Sequence, residues 1–271
     1  MPLSPISRRQ ALSTLLIGGA TGALATRLLG ADKPSSTAKS SLRRVLFWGG
    51  QGGLHRPKEQ FERSLPIFAA AGYAVDYAGE DDNRQINDET LANYDAILVY
   101  NQSHSPKISS NQVDSLYRFA EAGKGIVFCH MSIVAGSDSD LFYRLIGGVF
   151  LDHGNGEFVP VGSPNSTTLP NGTEARENIR LDFMDTSHQA LKGVESFSAW
   201  DETFTLKSDP GVTVLQHRPI MDNPASNWTW VREQGTGRIY YCAYGHDQNT
   251  WGHTAYQKQL TVALDWVTKQ I

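Results

Sequence analysis

Apolar residues arrive along this chain in short, nearly continuous runs, and each early run is followed by a stretch with helical spacing. Val45-Leu46-Phe47-Trp48, Tyr73-Ala74-Val75, Ala96-Ile97-Leu98-Val99-Tyr100 and Ile126-Val127-Phe128-Cys129 do not alternate with polar residues, as expected of parallel strands covered on both faces. Between them, Phe61, Leu65, Phe68 and Ala69 recur at three- and four-residue steps within Pro57 to Gly72, where the glycine supplies the stop. Val113, Leu116, Tyr117 and Ala120 repeat the pattern, with Ser109 or Ser110 placed to cap that helix. Strands alternating with helices of this length predict βαβ units. The fold class is therefore α/β, a flavodoxin-like three-layer sandwich with a mainly parallel central sheet. Right-handed crossovers bring the carboxyl ends of the parallel strands to one edge, where open sheets bind ligands.

Beyond Gly136 the rhythm changes. A short helix is expected over Leu141 to Gly147 and a strand over Val149 to His153, and Gly154 to Gly172, rich in Gly, Pro, Ser, Asn and Thr, reads as a loop or lid. Ile179–Phe183, Ser198–Leu206 and Val212–His217 read as strands. Trp228 to Arg232 and Arg238 to Tyr244, joined through Gly235 and Gly237, form a hairpin. A closing helix over Thr254 to Lys269 buries Leu260, Ala263, Leu264 and Val267.

The first thirty-odd residues stand apart. Arg8-Arg9 precedes a moderately apolar run from Ala11 to Leu29, resembling a twin-arginine export signal. Gly18, Gly19, Gly22 and Arg27 make the run a poor membrane span. The expected organisation is a signal over 1–31, a Ser/Lys/Thr-rich linker over 32–42 and one domain over 43–271. Its location is the periplasm or the exterior, with no membrane attachment once the signal is removed. Of the 271 residues 40% are hydrophobic and 19% charged, and a net charge of −4 offers no basic field for nucleic acid. Two cysteines, Cys129 and Cys242, do not make a disulfide framework; both lie in apolar runs and read as buried.

Histidines carry the chemical signal. Of eight in the chain, His55, His130, His153, His188, His217 and His246 stand at the end of an apolar run or in an adjoining turn. Neighbouring strands are about 4.8 Å apart, so several tips of one sheet fall within roughly 10 Å of each other. His104 and His253 lie in polar turns and are set aside. Trp200-Asp201-Glu202-Thr203 places two carboxylates side by side on a strand, where alternation sends them to opposite faces and admits only one to a given site. Imidazoles with a carboxylate suit proton transfer or a borderline divalent ion such as zinc, although no tight ligand motif such as HExxH is present. The glycine-rich Gly49–His55 turn lacks the spacing of a nucleotide-binding loop.

Gly125-Ile-Val-Phe-Cys-His130, Ile146-Gly-Gly-Val-Phe-Leu-Asp-His153, Ser187-His188 with Asp201-Glu202, Asn227-Trp-Thr-Trp230 and Gly237-Arg-Ile-Tyr-Tyr-Cys-Ala-Tyr-Gly245-His246 occur in an order and spacing that resemble the ThuA, or trehalose-utilisation-like, family. The resemblance runs from about Arg44 to the C-terminus and implies a fold similar to class I glutamine amidotransferases and a carbohydrate substrate. On that footing His130, His246, Asp201 and Glu202 are the candidate catalytic residues. His55, His153 and Trp230, the last as an aromatic wall, are the candidate substrate contacts, and His130, His188 and His246 the candidate metal ligands. The amidotransferase likeness also implies a test. Those enzymes carry a nucleophilic cysteine at the elbow after this strand, where this chain has His130, with Cys129 one place earlier and without the flanking glycines of a strained elbow. Three functions stay open on the sequence: processing of a sugar or keto-sugar through a His/carboxylate or metal-assisted site, a non-catalytic periplasmic sugar-binding module, and a thiol hydrolase using Cys129 with His246.

Overall fold

The computed structural model describes residues 42–50, 55–79, 82, 85–101, 108–136, 139–152, 176–220 and 223–271. The expected export signal, nearly all of the linker, His104, His153 and the Gly154–Gly172 loop lie outside the described residues.

Each continuous apolar run forms a strand, and each helically spaced segment a helix. The chain begins β1 (Arg43–Trp48), α1 (Pro57–Ala70), β2 (Tyr73–Ala78), the single turn α2 (Asp88–Leu91), β3 (Ala96–Val99), α3 (Ser110–Glu121) and β4 (Gly125–Cys129). It continues through α4 (Asp140–Ile146), β5 (Gly148–Asp152), β6 (Arg176–Arg180), β7 (Asp182–Phe183), β8 (Ser198–Glu202), β9 (Thr205–Ser208) and β10 (Thr213–Ile220). The hairpin β11 (Asn223–Gln234) and β12 (Gly237–Cys242) leads to α5 (Gln248–Trp251) and α6 (Thr254–Val267).

Among the described residues the main sheet has eight strands in the order β2-β1-β3-β4-β12-β11-β10-β7. The first five are parallel, and with β12 counted as the fifth strand their order is that of flavodoxin. The remaining three are antiparallel and extend one side of the sheet. The mainly parallel sandwich expected from the sequence is thus the fold. Helices α1, α5 and α6 pack on one another, as do α2, α3 and α4, giving the two outer layers.

Burial explains why the strand runs do not alternate. Val45 to Trp48, Ala96 to Val99 and Ile126 to Cys129 are all fully enclosed, with helices on both sides. Each large apolar side chain so buried contributes about 1.5–3 kcal/mol. Where the sequence suggests one strand over Ser198–Leu206, the chain instead breaks at Thr203-Phe204. β8 pairs with β6, and β9 pairs with β5, in two small antiparallel sheets separate from the main one. The break has a packing cause: Phe204 is fully buried, its ring 4.7 Å from that of His130 and stacked on it. Strands β5, β6, β8 and β9 thus stand outside the main sheet as an insertion after α4, interrupted by β7, which returns to the antiparallel edge, and β8 packs against α5.

Ser109 begins α3 with a capping box, its hydroxyl accepting from the Gln112 N–H while the Gln112 side chain accepts from the Ser109 N–H. Ser109→Ala should lower stability by about 1 kcal/mol. The measurement is urea unfolding, in which the midpoint should fall with the slope unchanged.

Candidate functional site

Three histidines from three strand ends of the parallel sheet meet at its carboxyl edge. His55 follows β1, His130 follows β4 and His246 follows β12. Their ring centroids are 4.5, 5.0 and 5.4 Å apart. The order of neighbours produces this, because β1, β3, β4 and β12 are consecutive in the sheet.

His130 is the first residue past β4 and sits at φ 54, in the left-handed region that side chains with a Cβ rarely adopt. A strained elbow is thus present without the flanking glycines expected of one. Its room comes from the next strand: Gly245, at φ 134, lies where a Cβ would meet the Tyr256 hydroxyl at 2.9 Å and His130 Cβ at 3.4 Å. Tyr241 donates its hydroxyl to the His130 carbonyl at 3.2 Å and fixes the turn. His130 Nδ1 lies 2.8 Å from the Ala243 carbonyl. Since a carbonyl only accepts, Nδ1 carries a proton, and Nε2 is the nitrogen that can take up a further proton or a metal ion. That Nε2 is fully buried, makes no hydrogen bond, and lies 3.2 Å from Glu202 Oε2.

Alternation along β8 separates the carboxylate pair as expected, and the structure assigns each a task. Glu202 turns toward the histidines: Oε2 is 3.1 Å from His246 Nδ1 and 3.9 Å from His55 Nε2. Asp201 turns the other way and holds the loop that carries His246. Its oxygens accept from the backbone N–H groups of Gly245 (2.8 Å), His246 (3.1 Å) and Glu202 (2.7 Å), and from the Thr250 hydroxyl (2.6 Å). The other side of that loop is tied by its carbonyls. Tyr100 donates to the Gly245 and His246 carbonyls, and the Trp251 indole N–H to that of Gly245 at 2.9 Å.

His130, Asp201, Glu202 and His246 are at most 3% exposed, while the His55 side chain retains 14%. Burial raises the Asp201 pKa, opposed by the charge of His130 and by the hydrogen bonds it accepts. For His130, burial pushes the pKa down, yet the Glu202 contact, the charges of Asp201 and Glu202 and the Ala243 carbonyl outweigh it and the net direction is up. The surroundings therefore attract positive charge to this point, whether a proton or a metal cation.

A donor atom from each of His55, His130, Glu202 and His246 lies within 4.8 Å of every other. In a tetrahedral zinc site with bonds of about 2.0–2.1 Å, neighbouring ligand atoms are about 3.4 Å apart, so small side-chain rotations would close the set. The chemistry fits as well: imidazole nitrogens and one carboxylate, with His130 oriented by a backbone carbonyl on its other nitrogen.

The remaining candidates lie elsewhere. His188 begins a short turn over Gln189–Leu191, where its Nδ1 accepts from the Ala190 N–H at 3.1 Å and its ring packs on Trp266; it does not reach the cluster. His217 lies on antiparallel β10 beside Asp182, at 3.5 Å. Trp230 is fully buried against Tyr241 and spends its indole N–H on the Ile146 carbonyl at 2.8 Å, which leaves no face for a sugar. Cys129 is fully buried and its thiol is driven well above the ordinary range by burial, while Cys242 is pushed up to about 12 by the same cause. Neither thiol suits nucleophilic catalysis. His55 and Glu202 complete the set in place of His188, and nothing in local spacing marks that exchange.

Asp201→Asn replaces one acceptor oxygen with an N–H₂ group facing backbone donors. It should cost about 1–3 kcal/mol in denaturant unfolding. Glu202→Gln, which leaves the loop anchor intact, should cost less. Iodoacetamide added to the folded protein should leave both cysteines unmodified by intact-mass measurement; alkylation at Cys129 without unfolding would revive the thiol mechanism.

The geometry can be set beside known proteins. The family model described as trehalose utilisation, ThuA, matches residues 44–267. A ThuA-like protein from Bacteroides uniformis superposes with a TM-score of 0.65 at 18% identity, covering 87% of this chain and 95% of its own. One from Parabacteroides merdae gives 0.65 at 16% identity, over 84% and 90%. A β-galactosidase from Rahnella sp. R3 gives 0.53 at 14% identity, over 84% of this chain and 31% of the galactosidase. No curated protein matches the chain in sequence. With the family's pattern matched over nearly the whole described domain, the chain belongs to the ThuA family.

Proposed function

We propose that the chain holds one divalent metal ion, zinc by its donor set, through His55, His130, Glu202 and His246, and acts there on a carbohydrate. The observation that carries the metal reading is that the buried His130 Nε2 lies 3.2 Å from the Glu202 carboxylate and within 4.8 Å of a donor atom on each of two further imidazoles. When bound, such an ion polarises a hydroxyl or carbonyl oxygen. The chain's own residues hold the ion and balance its charge, since Asp201 and Glu202 together offer two negative charges. Phe204 stacks over His130 and keeps water from that side. His55, with 14% of its side chain exposed, is the least buried of the four and marks the side from which a ligand would arrive. The carbohydrate class is supported by the description of the family. Arg8-Arg9 and the apolar run after it support export by the twin-arginine route, to the periplasm or beyond. Among the described residues no helix is long and apolar enough to cross a membrane.

A second reading rests on the His246–Glu202 hydrogen bond at 3.1 Å. Without a metal, this pair can take a proton from a sugar hydroxyl and return it.

Metal analysis separates the two. The metal reading expects about one zinc per chain after loading. His130→Ala and His246→Ala should each weaken affinity by on the order of 100-fold or more, since even outer partners of a metal ligand are worth 10–100-fold. Circular dichroism should show the fold retained. A full chain that binds no divalent ion above background leaves the proton-transfer reading in place.

A further inference from the structure

Beside the cluster lies a polar cleft of about 230 Å³, lined by Arg56, Glu59, Gln60, Asp247 and Gln248. Arg56 directly follows His55, and Asp247 directly follows His246, so the cleft adjoins two of the four candidate metal ligands. It is formed where the first turn of α1 meets the first turn of α5.

Two observations mark it as more than a surface dent. Gln60 is only 2% exposed, and its Oε1 accepts no hydrogen bond from the protein. A buried amide oxygen left without a donor is destabilising, so a ligand that supplies one offsets that cost. Arg56, moreover, is held at φ 47 and ψ 60 directly before Pro57. Among the described residues only three non-glycine residues have positive φ, and Arg56 and His130 are two of them. Such strain persists where the surrounding structure imposes it, and it concentrates at ligand sites.

We infer that this cleft is the subsite for one sugar ring, with the Gln60 amide oxygen accepting from a ring hydroxyl. The inference rests on the carbohydrate reading above but not on the metal. Among the described residues the lining holds two carboxylates, one guanidinium and two amides, an even mixture of acceptors and donors with no positive excess to select a phosphate or carboxylate ligand. Planar groups with paired donors or acceptors match vicinal hydroxyls, which present the same spacing. The volume falls below the roughly 300–1,000 Å³ of sites for drug-sized ligands and fits a single ring. Recognition here is by hydrogen bonding rather than by an aromatic wall, because among the described residues no aromatic side chain lines the cleft and Trp230 is sealed in the core.

Calorimetric titration of the full chain with D-glucose and with α,α-trehalose, once zinc-loaded and once chelator-treated, tests this. At least one sugar should bind, and Gln60→Leu should weaken that binding by about tenfold, the worth of one buried hydrogen bond. Zinc affinity should be unchanged in the same variant. Gln60→Glu keeps the acceptor and should stay within about threefold of the parent. If Gln60→Leu does not fold, the exposed Gln248→Ala replaces it, with an expected loss of about threefold. Sugar binding that survives both losses places the subsite elsewhere, and failure of both sugars to bind the parent chain removes the carbohydrate assignment. Sugar binding lost in Gln60→Leu by a chain that takes up no zinc upholds this subsite while the metal reading falls.

Discussion

One buried carboxylate sets the geometry on which the site depends. Asp201 draws three backbone N–H groups and a hydroxyl onto its two oxygens, and two of those N–H groups belong to the Gly245-His246 turn. An isolated buried charge is costly, and these hydrogen bonds offset that cost while fixing the backbone that delivers His246. On the far side of the same turn, Tyr100 and Trp251 take its carbonyls. A loop that would otherwise be mobile is thereby fastened from both sides. Only then can His246 meet Glu202, and only a glycine at 245 leaves space for the His130 turn beside it.

Much of this was legible in the sequence, for a physical reason. Parallel strands buried on both faces read as unbroken apolar runs, and the helices between them keep a 3.6-residue rhythm. Fold class, the elements of the parallel half and the meeting of His55, His130 and His246 follow from that local signal plus the handedness of crossovers. The separation of Asp201 from Glu202 follows from strand alternation. What escaped was decided by distant packing. The Ser198–Leu206 run reads as one strand because its apolar content is continuous, but Phe204 is pulled onto His130 and splits it between two sheets. Trp230 resembles a ligand platform in sequence, and only its partners Ile146 and Tyr241 reveal a core residue. His188 sits after a turn like the others, yet its strand neighbours are antiparallel, and the rule that collects parallel tips does not apply to it.

The division between scaffold and insertion also organises the chemistry. The parallel sheet supplies three imidazoles on turns tied to its strands. The insertion supplies Glu202, the loop anchor Asp201 and the aromatic cover Phe204. The fold recurs in proteins with unrelated activities, and what distinguishes this chain is the particular side chains placed on its edge.

That partition has a chemical corollary. Because β8 contributes the one acidic donor of the cluster, a change at Glu202 alone would retune charge and metal preference at the edge, whereas a change at the adjacent Asp201 would also disturb the turn that delivers His246. One chemistry could thus be exchanged for another at a single position of β8, with the parallel sheet beneath it unchanged.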